Sequence, residues 1–184
     1  MGCDIHMYVE YASKKRLEES KLPQVEGKRK VYEYWSTFGG RMSPGRNYLM
    51  FGLLSKGVRS DLDKGIEPKG LPEVLGYQSQ GDAYMYITDS HDGDENSTTL
   101  ERALSWKGKI INDISGKPRW TEHPDWHSHT WLTTKEYASA LRKYHAMNDK
   151  SWDDAKAYKA ILAAMKSLES DGETIARVVL WFDN

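Results

Sequence analysis

Cys3-Asp4-Ile5-His6-Met7-Tyr8-Val9-Glu10-Tyr11 alternates residue types without a break. Successive side chains of a strand point to opposite faces, so Cys3, Ile5, Met7, Val9 and Tyr11 share one side and Asp4, His6, Tyr8 and Glu10 the other. The stretch reads as a strand with an apolar face for a core and a polar working face. The tail from Thr174 to Phe182 carries Ile175, Val178, Val179, Leu180, Trp181 and Phe182 and reads as a second strand. If the two terminal strands are neighbours, Arg177 and Asp183, six apart on one face, stand beside Asp4 and His6.

Between these ends the signals are mixed. Residues 12–30 are rich in Lys, Glu, Ser and Pro and lack apolar periodicity, which predicts a loop or irregular arm before an aromatic strand over 31–38. Leu49, Leu53 and Leu54 predict a short buried helix that stops at Gly57, with Arg46 and Asn47 in its first turn. Ala83 to Thr88 suggests a short strand, Asp89 to Thr99 a polar acidic loop, and 106–114 an extended segment closed by the turn Ser115-Gly116-Lys117-Pro118. Thr133-Thr134-Lys135-Glu136 matches a capping box ahead of Tyr137, Leu141 and Tyr144. Ser151-Trp152-Asp153-Asp154 opens a further helix with an apolar stripe at Ala155, Tyr158, Leu162, Met165 and Leu168, ended by Asp171-Gly172. Together these predict one α+β domain over 1–184, a largely antiparallel sheet with helices packed on one face.

The 184 residues carry 26 Lys and Arg against 27 Asp and Glu, a formal charge of −1. That balance gives no global basic field for duplex nucleic acid or an anionic membrane. The lone cysteine excludes an internal disulfide framework and a four-cysteine zinc module, and a cytoplasmic location is the simplest expectation. No apolar run is long enough to span a bilayer. Seven Trp and eleven Tyr against three Phe favour rings that bear a polar atom, which suits a binding surface as well as a core rim.

Several motifs could carry chemistry. Asp4-x-His6 on a strand can form a carboxylate–imidazole pair, and it also opens the dinuclear metallophosphoesterase pattern. The Gly-Asp-x-x-Asp and Gly-Asn-His motifs that should follow are missing. The acidic stretch from Asp89 fails the EF-hand template: with Asp92 as first ligand, Ser97 takes the glycine position and Ala103 that of the bidentate Glu. Three of six histidines lie in His123-Pro-Asp-Trp-His127-Ser128-His129, and an extended chain would put His127 and His129 on one face. No closed four-ligand spacing results, so neither a metal nor another cofactor is expected. Arg46-Asn47 at a helix start is a plausible phosphate grip. The run Gly39 to Gly45 lacks the Lys-Ser/Thr ending of a Walker loop.

Met1-Gly2-Cys3-Asp4-Ile5-His6, Arg46-Asn47-Tyr48 with Phe51, Gly70-Leu71-Pro72, His127-Ser128 with Trp131-Leu132-Thr133, and Arg177 with Trp181-Phe182-Asp183-Asn184 run from the first residue to the last. In these blocks the chain resembles a family of small proteins from tailed-phage and prophage genomes. The resemblance lends no activity. It implies a phage context, in which small accessory proteins act on host nucleotides or defence signals.

The sequence reading therefore centres on a nucleotide-like small molecule, with duplex nucleic acid and membrane excluded and self-association left open. His6 and His127 are expected in one pocket as general acid and base on a phosphodiester, with Asp4 beside them. Arg46, Asn47, Ser128, Trp131, Arg177 and Asp183 are expected to hold the ligand. The competing readings are a sequestering module with the same residues and no chemistry, and an inhibitor that binds a host enzyme.

Overall fold

The computed structural model describes residues 2–20, 35–59, 62–90, 96–107, 109–113, 115–147 and 155–183. The first strand, β1 (Ile5–Ser13), lies between β2 (Ser36–Thr37) and β8 (Thr174–Phe182), and β7 (His127–Thr133) flanks β8 on its far side. All pairs in this first sheet are antiparallel. The two terminal strands are neighbours along their whole length, from Ile5 opposite Phe182 to Ser13 opposite Thr174.

One face of this sheet is apolar, as the alternation predicts. Ile5, Met7 and Val9 join Ala176, Val178, Leu180 and Phe182 in a core completed by three helices, α2 (Tyr48–Leu54), α5 (Thr134–Met147) and α6 (Lys156–Leu168). Asn47 caps α2 by accepting from the Met50 amide at 3.0 Å. The capping box opens α5: the Thr133 amide donates to Glu136 Oε2 at 2.9 Å, and the Glu136 amide donates to Thr133 Oγ1 at 3.3 Å. Tyr137, Tyr144 and Tyr158 lie fully within the core.

The opposite face departs from expectation. His6, Tyr8 and Glu10 are buried, and so are Arg177, Val179 and Trp181 across from them. They are covered by Leu75, α3 (Tyr77–Ala83) and a second sheet of β3 (Tyr84–Thr88), β4 (Ser97–Thr99), β5 (Ile110–Asn112) and β6 (Pro118–Glu122). The strand order there is β4-β3-β6-β5, antiparallel except for the β3/β4 pair. The single expected sheet is thus two sheets within an α+β fold. Alternation distinguishes two faces of a strand, but it does not say whether the polar one meets water or a second layer that satisfies its hydrogen bonds.

Further differences are local. Lys14–Ser20 is a helix, α1, where a loop was expected, and neither α3 nor α4 (Leu100–Ser105) was foreseen. The extended reading of 106–114 survives as β5 alone. Residues 31–34 of the expected aromatic strand, the Ser151–Asp154 helix start and residues 91–95 of the acidic stretch lie outside the described residues. Among the described residues no helix is long and apolar enough to cross a membrane.

Glu10 and Arg177 show how the covered face accommodates charge. They oppose each other in the ladder, and Arg177 donates from Nε and a terminal nitrogen to Glu10 Oε2 at 2.8 and 2.6 Å. Glu10 Oε1 accepts from the Gly76 amide at 2.6 Å and from Ser79 Oγ, which ties α3 to the sheet. Gly76 is required at this approach, because a Cβ there would stand about 3 Å from Trp35 O, Thr37 Oγ1 and Glu10 Oε1. The Trp35 ring closes over the guanidinium at 3.6 Å.

Two outcomes are expected. Deleting residues 1–11 removes an inner strand and abolishes cooperative unfolding, and a truncated chain that stays soluble with a sharp thermal transition would contradict this. Arg177→Ala strands the Glu10 carboxylate in the interior and lowers stability by about 3–5 kcal/mol in urea unfolding, whereas the paired change Glu10→Gln with Arg177→Met loses less.

Candidate functional site

The polar groups that remain accessible gather where β1 begins and β8 ends. The Asp4 amide donates to Asp183 Oδ1 at 2.8 Å, and the Asp183 amide returns a bond to Asp4 O at 3.2 Å. Asp183 Oδ2 lies 2.9 Å from His6 Nε2. Asp4 receives Arg46 through Nε at 2.5 Å and a terminal nitrogen at 2.7 Å, a bidentate pair whose members are each more than half exposed. The guanidinium holds the Asp4 carboxyl below the usual carboxylate range, and the carboxylate in turn pushes Arg46 up. The expected grouping of Asp4, His6, Arg46 and Asp183 is therefore realised.

The other nitrogen of His6 meets a residue that the sequence reading passed over. Met42 bridges to Met7 of β1, and this seats Arg41 beside His6, with NH1 at 3.2 Å from Nδ1. The same guanidinium lies 3.9 Å from Asp82 Oδ2, to which Tyr8 donates its hydroxyl at 2.7 Å. Arginine only donates, so Nδ1 must carry the lone pair and Nε2 the proton given to Asp183. His6 is thus held between a carboxylate and a guanidinium, an arrangement that suits the Nε2–H tautomer.

Aromatic rings wall the same place. His6 lies 5.2 Å from Trp126 and is stacked at 5.8 Å on Trp181, and His123 stacks on Trp126 at 4.3 Å. Burial pushes His123 below its ordinary range. Arg41, Asp82, His123 and Trp126 belong to the site. His123 and Trp126 carried a signal, since they lie in the histidine-rich stretch, whereas Arg41 stood in a glycine-rich run read only as a break.

The structure does not bring the two catalytic candidates together. His127 pairs with Phe182 and stacks on it at 6.1 Å, on the helix side of the first sheet, whereas His6 packs on Trp181, the preceding residue, on the opposite side. The cause is a bulge between His127 and Thr130, in which Ser128 takes a left-handed φ of 53°. A regular strand would have kept His127 on the side of His129, which does face Trp181. The bulge reverses that parity, and with it the shared pocket and the His127–His129 face are lost. Ser128 is engaged locally, its Oγ on His127 Nδ1 at 3.0 Å and its carbonyl accepting from Ser55 Oγ at 3.3 Å.

Three more expected ligand residues are committed elsewhere. Arg177 sits opposite Glu10, four ladder positions from the Trp181–His6 pair, so it shares the face of Asp183 but not its place. Asn47 spends its side chain on the α2 cap and on Tyr144, to which Nδ2 donates at 2.9 Å. Trp131 lies along β7 under Lys69, whose ammonium is 4.2 Å from the ring and also pairs with Glu136. Among the described residues, no group of three or more His, Cys, Asp or Glu side chains is placed to hold a metal ion.

His129 provides a test of the buried face. Burial, aided by the neighbouring His127, lowers its pKa to about 4. The unfolded chain, with an ordinary imidazole near 6.5, takes up the proton first as pH falls. The contribution of His129 to stability is therefore complete above about pH 6.5 and is lost towards pH 4, to an extent of up to about 3 kcal/mol. Urea unfolding at pH 7 and pH 4.5 should show a larger loss for the native chain than for His129→Gln. Equal losses would place His129 in water.

No family model, no curated protein and no solved structure matches the chain.

Proposed function

We propose that the corner formed by Asp4, His6, Arg41, Asp82, Trp126 and Asp183 binds a nucleotide-like small molecule, and that the chain acts as a phage-type accessory protein that withholds this ligand. The observation that carries the reading is His6 itself, packed in one cluster with the indoles of Trp126 and Trp181 and with both ring nitrogens on charged partners. The part-exposed Trp126 ring suits a planar base, Arg41 suits a phosphoryl oxygen, and the carboxylates suit ribose hydroxyls.

Charge decides how much phosphate the corner accepts. Asp4, Asp82 and Asp183 meet Arg41 and Arg46, Arg46 is already taken by Asp4, and Arg59 is engaged with the neighbouring Cys3. With Arg46 held by Asp4, Arg41, which Asp82 approaches only to 3.9 Å, is offered to an anionic group, which favours a monophosphate or a cyclic phosphodiester over a triphosphate. Proton exchange between His6 and His127 has no geometric basis, since the sheet separates them. Withholding without chemistry needs no second histidine.

Equilibrium dialysis against nucleoside mono- and triphosphates and cyclic mono- and dinucleotides, followed by denaturation and chromatography, tests the reading. Unaltered ligand with a single anionic group should be recovered. His6→Ala should weaken binding by about tenfold or more, the worth of a hydrogen bond to a charged group. His127→Ala should change it by less than about twofold. Altered product would replace withholding with catalysis, and no binding by any compound would overturn the assignment.

A further inference from the structure

Both ring nitrogens of His6 are occupied, but by partners of different kinds. Asp183 is part of the strand-end lattice: its Oδ1 accepts from the Asp4 amide and its own amide donates to Asp4 O, so its carboxylate is held by backbone on one side. Arg41 has no comparable anchor for its head group. Its side chain is half exposed, and Asp82 Oδ2 lies 3.9 Å from the same terminal nitrogen that meets His6. Asp82 is itself fixed by the Tyr8 hydroxyl at 2.7 Å. The guanidinium therefore has two seats within one side chain's reach, an imidazole lone pair and a carboxylate.

We infer that Nδ1 of His6 is the acceptor atom of this corner and that Arg41 is a removable cap over it, which shifts towards Asp82 when Nδ1 engages a ligand. Asp183 fixes the tautomer by taking the Nε2 proton, which leaves the lone pair on the nitrogen that faces the exposed arginine. The indoles of Trp126 and Trp181 pack against each other and against the imidazole and hold it in place, so Arg41, half exposed, is the movable group at Nδ1. The residue that carries the cap is also the cation proposed to meet an anionic group, so a ligand that draws Arg41 away exposes an acceptor for its own hydroxyl or amino proton. This inference concerns the same corner as the proposed function, but its test needs no nucleotide.

The experiment is acylation of the imidazole by diethyl pyrocarbonate, read for His6 by peptide mass spectrometry. It is run at pH 8, where an ordinary imidazole is neutral and only access to the lone pair differs. His6 in the native chain should react slowly, and in Arg41→Ala about fivefold faster, the factor expected from removing one hydrogen-bonded cap. Imidazole ¹⁵N shifts of the native chain provide the second measurement, independent of any variant. Nδ1 should appear as the unprotonated nitrogen and Nε2 as the protonated one. Equal His6 reactivity in the two chains, or an Nδ1–H tautomer, would overturn the cap. If the cap stands and no nucleotide binds, only the ligand assignment fails; if nucleotides bind and reactivity is unchanged, only the cap fails.

Discussion

Everything else in this protein depends on the pairing of its two ends. β1 and β8 match residue for residue over nine positions, both inner strands of a four-stranded sheet. Closing such a long-range ladder costs the loop entropy of nearly the whole chain, which the packing of both layers on the sheet must offset. One face of the pair buries apolar residues against three helices. The other brings Glu10 to Arg177 and, at the far end, His6 to Asp183.

These two ion-bearing pairs lie on the same face and differ in their surroundings. Glu10 and Arg177 are sealed under Trp35 and α3, with every partner supplied by the protein, and they fasten the second layer to the first. A buried pair of that kind is poor at meeting a ligand, because its groups are already satisfied by the protein and closed off from solvent. His6 and Asp183 sit at the sheet's end, where Asp183 and Arg41 reach solvent. Position along one strand, not residue type, separates a structural pair from a candidate working one.

The corner around His6 combines features that favour recognition over reaction. Its imidazole is oriented by a carboxylate that itself accepts from the Asp4 amide, and the ring is packed in a cluster with two indoles. Positioning of this kind fixes which nitrogen carries the proton. A near balance of carboxylates and guanidiniums limits the anionic charge that the site can accept, a constraint that Arg46 tightens by its bidentate hold on Asp4.

The alternation of Cys3 to Tyr11, the capping box at Thr133 and the apolar stripe of α6 were legible because each is a local pattern whose period reports a local structure. The α+β class followed from them; the adjacency of the terminal strands, and with it the company of Asp4, His6 and Asp183, was a condition that the structure meets. What the sequence alone could not determine was what lies across from each residue. Whether the polar face of β1 meets water depended on a second sheet built from residues 84–122, far along the chain. The side on which His127 falls depended on a one-residue bulge, which reverses a strand's alternation without altering its composition. Arg41 became a partner of His6 through a backbone bridge between Met42 and Met7, a contact with no periodicity to announce it. Local periodicity is written in neighbouring residues, whereas these three outcomes arise from contacts between segments that only the folded chain brings together.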